Sequence, residues 1–284
     1  MKLPSVTVKQ LLEAGVHLGH KTSRWNPKMS KYIFGSKNSI HIIDLVQTLE
    51  LVNVALNEIH KCISSGGKIL FVSTKKQAAE TIANLAKDTS QFYVNHRWLG
   101  GMLTNWKTIS NSIKRLKKLT KDLKEENTGF TKKENLKMGK QRDKLERSLG
   151  GIADMKKLPD IIFIVDTNVE ELAVKESIKL NIPIAAIIDS NSDPTGINFP
   201  IPGNDDARRA INLYCELIKQ TILDAQKNIS KTDKESLIDT EYNDPIKKTE
   251  KEKIETEKEK IKKVKKTSKS ILLKVKSLTA KKTK

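Results

Sequence analysis

Apolar residues in this chain recur in two different rhythms, and the change of rhythm marks the elements. Four short runs are continuously apolar or β-rich: Lys68–Ser73, Phe92–Asn95, Asp160–Asp166 and Ile182–Asp189. Runs without polar alternation suit strands covered on both faces, as in a parallel sheet. Between them lie stretches with helical spacing: Leu45–Ile63, Gln77–Asp88, Val169–Leu180 and Asp205–Gln226. In the second of these, Ala79, Ile82, Ala83 and Ala86 form a stripe that a core-facing helix requires. Strands alternating with helices of this length predict βαβ units in a doubly wound α/β fold, a Rossmann/flavodoxin-like parallel sheet sandwiched by helices.

Residues 105–149 break the alternation. They contain no strand pattern and are crowded with Lys, Arg and Glu. Ile109, Ile113, Leu116, Leu119 and Leu123 make a narrow stripe; Leu136, Leu145 and Leu149 make a sparser one beyond a turn near Asn127–Gly129. This predicts an inserted antiparallel helical hairpin with a coiled-coil-like seam. The globular domain is then discontinuous, 1–104 and 150–228.

From 229 to 284 the chain becomes a Lys/Glu/Thr/Ser mixture with one aromatic, Tyr242. Such a segment cannot bury enough apolar area to offset its ordering entropy, so a disordered Lys-rich tail is expected. Charge then sharpens the picture. The 284 residues carry 53 Lys+Arg against 34 Asp+Glu, a net of +19. Residues 228–284 hold 18 Lys and 10 acids, a net of +8, which leaves +11 for the body. That excess points to a polyanionic partner, nucleic acid or an acidic membrane surface. No apolar run approaches the roughly 18–20 residues of a membrane span, and no amphipathic face with anchoring Trp or Phe supports a tail tether. The start lacks the apolar core of a signal peptide, and Cys62 and Cys215 lack metal-ligand spacing, so reduced thiols in the cytoplasm are expected.

A doubly wound sheet raises the question of a nucleotide- or metal-dependent enzyme. Neither GxGxxG nor GxxxxGK[ST] occurs, and Gly66-Gly67-Lys68 precedes a strand rather than following one. Lys75 and Lys76, after the first strong strand, could hold a phosphate at a helix start, and an RNA phosphate serves as well as a nucleotide. His17 and His20 have a spacing that allows two metal ligands from one helical turn, with Asp189, Asp193, Asp205 or Asp206 as partners in space. No Cys partner or HExxH accompanies them, so histidines bonding a turn are the plainer reading and no metal or other cofactor is expected. No nucleophile–base ordering stands out.

Basic residues interleaved with aromatics do recur. Lys21, Arg24 and Lys28 surround Trp25; His96, Arg97, Asn105 and Lys107 surround Trp98 and Trp106. Cations neutralise phosphates, and rings stack on exposed bases. Trp98, beside Leu99-Gly100-Gly101-Met102, reads better as core packing, leaving the charged neighbours as RNA contacts. On the hairpin, Lys114, Arg115, Lys117 and Lys118 load the surface opposite the seam.

Seven words in one order carry a resemblance: GVHLGHKTSRWNPKMSKYIFG, IHIIDLVQT, FVSTKKQA, NHRWLGGMLTNW, LERSLGGI, LPDIIFIVD and IPIAAIIDSNSDPTGINFPIPGNDDA. They span about Val8 to Ile222 and resemble the bacterial small-subunit ribosomal protein S-two family. The resemblance implies a parallel α/β sandwich with a protruding hairpin and no enzymatic activity. It also implies binding to small-subunit rRNA at the head–body junction, contact with neighbouring small-subunit proteins and a role in docking ribosomal protein S-one. Lys21, Arg24, Lys28, His96, Arg97, Asn105 and Arg208 carry over as candidate contacts. The start, directly at the domain, favours a bacterial over an organelle-imported member. The tail exceeds what the family core requires.

Overall fold

A computed structural model of the chain describes residues 4–124 and 131–243. The chain divides into two units, 1–228 and 229–284. The first unit is built on a five-stranded parallel sheet: β4 (Ile69–Val72), β5 (Phe92–Val94), β6 (Ile161–Ile164), β7 (Ile184–Ile188) and β8 (Phe199–Pro202), in the order β5-β4-β6-β7-β8. Every residue of β4, β6 and β7 is buried, as the unbroken apolar runs require. The predicted strands were each a residue or two too long at their ends, where Lys68 bonds the Asp160 carboxylate and Asp189 pairs with His20 instead.

The edge strand β8 was not foreseen. Its two prolines, Pro200 and Pro202, lack ladder donors, which masks the pattern but suits an edge position. The sheet runs parallel throughout, β7 pairing β8 through Ala185–Phe199 and Ile187–Ile201. Alternate residues face opposite layers. Leu70, Val72, Ile162, Ile164, Ile184 and Ala186 join a cluster with Trp98, Met102, Leu103 and Ala173 of α6 (Glu171–Lys179). On the other side Phe71 meets Phe163 edge-on with ring centroids 5.9 Å apart. There α2 (Leu45–Ser64) packs on β8 and α3 (Ala79–Asp88) on β4 and β5.

Also unforeseen is a small antiparallel sheet at the N-terminal side, β1 (Leu18–Lys21), β2 (Ile33–Lys37) and β3 (Ile40–Ile43), in the order β1-β3-β2. It follows α1 (Val8–Glu13), whose start is held by a Thr7–Gln10 capping box. Its strands are short and broken by register shifts, which erases the alternation a sequence reading relies on. Asn38 and Ser39, both with φ above +50°, supply the two-residue turn between β2 and β3.

Residues 105–149 supply two helices packed against each other, α4 (Trp106–Asp122) and α5 (Lys132–Leu149). Ile109, Ile113, Leu116 and Leu149 are buried in the main core cluster rather than in a separate seam. Leu136 departs from its predicted role: it is 69% exposed, and Leu145 and Leu149 carry the contact. The turn expected near Asn127–Gly129 lies outside the described residues. Gly151, just past α5, approaches β5 so closely that a Cβ would sit 2.1 Å from the carbonyl oxygen of Tyr93.

The last helix, α7, spans Arg208–Asn243, so residues 229–243 of the segment expected to be disordered are helical. The remainder of that tail, 244–284, lies outside the described residues. Among the described residues no helix is long and apolar enough to cross a membrane.

Candidate nucleic-acid interface

Strand order β5-β4-β6-β7-β8 reverses direction between β4 and β6, and ligands of such sheets bind beyond the carboxyl ends at that point. In this chain that place holds a knot of charge. Lys75, following β4, reaches Asp166 Oδ2 at 2.8 Å, Asp205 Oδ1 at 2.9 Å and Asp206 Oδ1 at 2.7 Å. Asp189, at the end of β7, lies 2.9 Å from His20 Nδ1, and Asp206 Oδ2 lies 3.4 Å from His20 Nε2. Gly19 allows this approach: a Cβ there would come within 3.1 Å of Asp189 Oδ1. The loop after β4 is also spoken for, because the Thr74 amide donates to Glu170 Oε1 at 2.6 Å.

The protonation states follow from these contacts. Burial pushes Asp205 up to about 7, helped by the charges of Asp166 and Asp189 and opposed by Lys75. Burial pulls the Lys75 ammonium down, but Asp205, Asp166 and Asp206 outweigh it and hold the group above the ordinary lysine range. The hydrogen bond to Asp189 raises His20 despite partial burial. A cleft of about 360 Å³ opens beside the knot, lined by Gly19, His20, Lys21, Arg24, Asp189 and Asp206 among others.

This geometry corrects two expectations. Lys75, expected at a phosphate, is 13% exposed and faces three carboxylates. A phosphate placed at the switch point would meet those carboxylates, so the sheet is not arranged for a nucleotide. Of the histidines, His20 joins Asp189 and Asp205 with ligand-type atoms within 4.8 Å of one another, a set that could hold a divalent cation. His17 stays outside it, and its Nδ1 is buried without a hydrogen-bond partner. Asp193 points elsewhere, paired with Lys28 at 2.7 Å, and that pairing with the Thr195 bonds lowers it to about 2.

The remaining candidates lie on the surface. Lys21, Arg24 and Lys76 are exposed, as are His96, Arg97, Asn105 and Lys107. Lys114, Arg115, Lys117 and Lys118 are exposed along α4, with Arg115 donating to Gln141 at 3.3 Å and Lys117 to Asp154 at 3.0 Å. Arg208 is exposed at the start of α7. Trp25 stacks obliquely near His41 at 5.2 Å, while Trp98 is buried at 6% exposure, as its neighbours suggested.

Trp98 does more than fill space. Its indole N–H, the amides of Gly101, Leu103 and Thr104 and the Thr104 hydroxyl all donate to the carboxylate of Glu176 on α6. Sequence reasoning missed Glu176, Asp166 and Glu170. Asp166 closes the apolar run of β6, which is a signal that could have found it; Glu170 and Glu176 each sit beside an exposed charged neighbour and carry no such signal in sequence.

The fold thus places its exposed cations on loops and α4, and fills its switch point with its own ion pairs. A family described as Ribosomal protein S2 matches residues 11–225. The chain belongs to that family. It is 57% identical over 224 residues to the small ribosomal subunit protein uS2 of Parvibaculum lavamentivorans, covering 79% of this chain and 88% of that one. The uS2 proteins of Sinorhizobium medicae and Chelativorans are each 58% identical over 224 residues, again 79% of this chain, and 88% and 84% of theirs. Members of the S2 family are structural rather than enzymatic proteins.

Proposed function

We propose that this chain is a structural constituent of the small subunit of the cytoplasmic ribosome, binding small-subunit rRNA at the head–body junction. The observation that carries the reading is the separation of charge. Carboxylates gather inside, around Lys75 and His20, while Lys21, Arg24, His96, Arg97, Lys107, Lys114, Lys118 and Arg208 face solvent. Exposed cations on a rigid α/β body fit an RNA surface read by shape and phosphate. We read α4 and α5 as a coiled-coil hairpin inserted into the α/β domain, a lever that gives a second contact away from the sheet. The Lys-rich segment 229–284 adds charge by composition. Membership in the S2 family fits contacts with neighbouring ribosomal proteins, and our reading adds, as its own step, a role in docking ribosomal protein S-one.

Cosedimentation with small subunits through a moderate-salt wash, followed by crosslink mapping, tests this function. Crosslinks from rRNA to the Lys21–Lys28 loop, the His96–Lys107 segment and α4 are expected. Failure to cosediment, or stoichiometric binding of a free nucleotide instead, would overturn it.

A further inference from the structure

Helix α2 departs from the rule that a surface helix keeps its aliphatic residues inward and its charges outward. Its inner side is ordinary: Val52, Ala55, Leu56, Ile59 and Ile63 are buried, and the helix packs on β8. The outer side carries Val46, Glu50 and Val54 at steps of four residues, all exposed. At 3.6 residues per turn these three fall within about 80° of one another and extend over about 12 Å of helix. Val46 is 60% exposed and Val54 49%. Helix α1, packed on α2, adds Val8 and Leu12, which are also exposed.

Single exposed aliphatics are common on soluble proteins. Charge is what sets this face apart. Residues 38–60 hold three acids, Asp44, Glu50 and Glu58, and neither Lys nor Arg, in a body whose net charge is +11. The cations of the two helices are paired within them, Lys61 with Glu58, and Lys9 with Glu13 at 4.0 Å. Asp44 is engaged as the cap of α2, accepting from the Val46 amide at 2.9 Å. Glu50 is left as the exposed charge at the middle of the row. A phosphate backbone laid here would meet a carboxylate and no cation between residues 38 and 60.

We propose that the outer face of α2, bordered by α1, is a docking surface for a lysine- and arginine-rich segment of a neighbouring small-subunit protein. The inference rests on the reading of the chain as a ribosomal constituent and names a face that a protein, rather than rRNA, covers. Apolar anchors with few lysines are the composition of protein interfaces. A neighbour that binds the same rRNA carries a cationic excess for the same reason that this chain does. A cation of that segment meets Glu50, and apolar side chains on either side of it cover Val46 and Val54. The acid selects the partner by charge, and the valines supply the buried area.

A photocrosslinking residue, p-benzoylphenylalanine, in place of Val54 of the full chain tests the surface in assembled small subunits. The crosslink is expected on a Lys/Arg-rich peptide of a small-subunit protein, identified by mass spectrometry. A crosslink to rRNA, one to an acidic peptide, or none at all in subunits that contain the labelled chain would overturn the proposal. In parallel, E50K and V46Q/V54Q should each enter subunits about 5-fold less well than wild type in competitive reconstitution, the loss expected for an interface anchor. V46Q/V54Q should keep the wild-type affinity for protein-free small-subunit rRNA and the wild-type melt. An rRNA affinity that falls together with incorporation would place the face on RNA, and equal incorporation of both variants would show that nothing docks there; either result sinks the proposal. Should a variant melt early, the crosslink decides without it. If the wild type itself does not enter small subunits, the functional reading fails, an outcome distinct from loss in the variants alone.

Discussion

The indole N–H of Trp98 donates to Glu176 Oε1 at 3.1 Å, and this bond belongs to a clamp that holds one loop to one helix. Glu176 Oε1 also accepts from Gly101 N at 2.8 Å, and Oε2 accepts from Leu103 N, Thr104 N and the Thr104 hydroxyl at 2.9–3.1 Å. The segment so held runs from the exposed His96 and Arg97 to Asn105, just before α4 begins. One buried carboxylate thereby fixes the root of the helix pair and the loop that carries three candidate RNA contacts.

Replacing Glu176 by Gln should loosen that root. The amide keeps one acceptor oxygen but turns an NH₂ group toward backbone donors, leaving buried N–H groups unpaired at about 1–3 kcal/mol. A melting temperature lower by about 2–4 °C per kcal/mol is expected for a body of this size. Trp98 fluorescence should shift toward that of a solvated indole. Burial raises the Glu176 carboxyl, but the amides of Thr104 and Leu103 and the Trp98 indole outweigh it, so the folded value lies below the ordinary one. Its contribution is therefore present above the ordinary glutamate range and lost as pH falls through the folded value. An unchanged acid limb in E176Q would contradict this.

Removing the Lys75 ammonium should be costlier than removing a surface lysine. In Lys75→Met the carboxylates of Asp166 and Asp205, both buried, lose their shared counter-charge. Breaking a buried pair by deleting one partner costs about 3–5 kcal/mol, and the lower end applies because Asp206 keeps contact with water. Urea unfolding should report a stability lower by about 3 kcal/mol, against under about 0.5 kcal/mol for the exposed Lys76→Met.

Asp205 sets a pH dependence of the opposite sense to the usual carboxylate. Its folded value is pushed up to about 7, from 3.8, by burial and by the charges of Asp166 and Asp189. The folded protein thus binds this proton more tightly than the unfolded chain. Its contribution to stability is complete below about 4 and is lost as pH rises through about 7. Thermal melts between pH 4 and 8 should show this loss in the wild type, and Asp205→Asn should flatten it. A D205N profile parallel to the wild type would mean that another group titrates there.

On α4, replacing Lys114, Arg115, Lys117 and Lys118 by Gln should leave the melt nearly unchanged. Their contacts, Arg115 to Gln141 and Lys117 to Asp154, are exposed, and such pairs contribute about 0–1 kcal/mol. Incorporation into small subunits in competition with wild type should nevertheless fall. Equal incorporation would remove α4 from the RNA-contacting surface.

By itself the sequence determined the layered core. Unbroken apolar runs at β4, β6 and β7 admit only strands buried on both faces, and the helical stripes between them leave one way to cover those faces. It also determined the family, because seven words in fixed order were written along the chain, and it singled out the helix pair by the absence of any strand pattern. Other features were decided by tertiary contact. The β1–β3 sheet and β8 are short and irregular, so their hydrogen bonds, not their side-chain rhythm, define them. Lys75 read as a phosphate ligand because its three carboxylate partners lie 91 to 131 positions away in sequence and meet it only when β4, β6 and β8 align their carboxyl ends. The same alignment gathers Asp189 and Asp205 around His20 while leaving His17 out. Charge can be counted along a chain, but whether a cation faces solvent or a buried acid is fixed by the sheet that carries it.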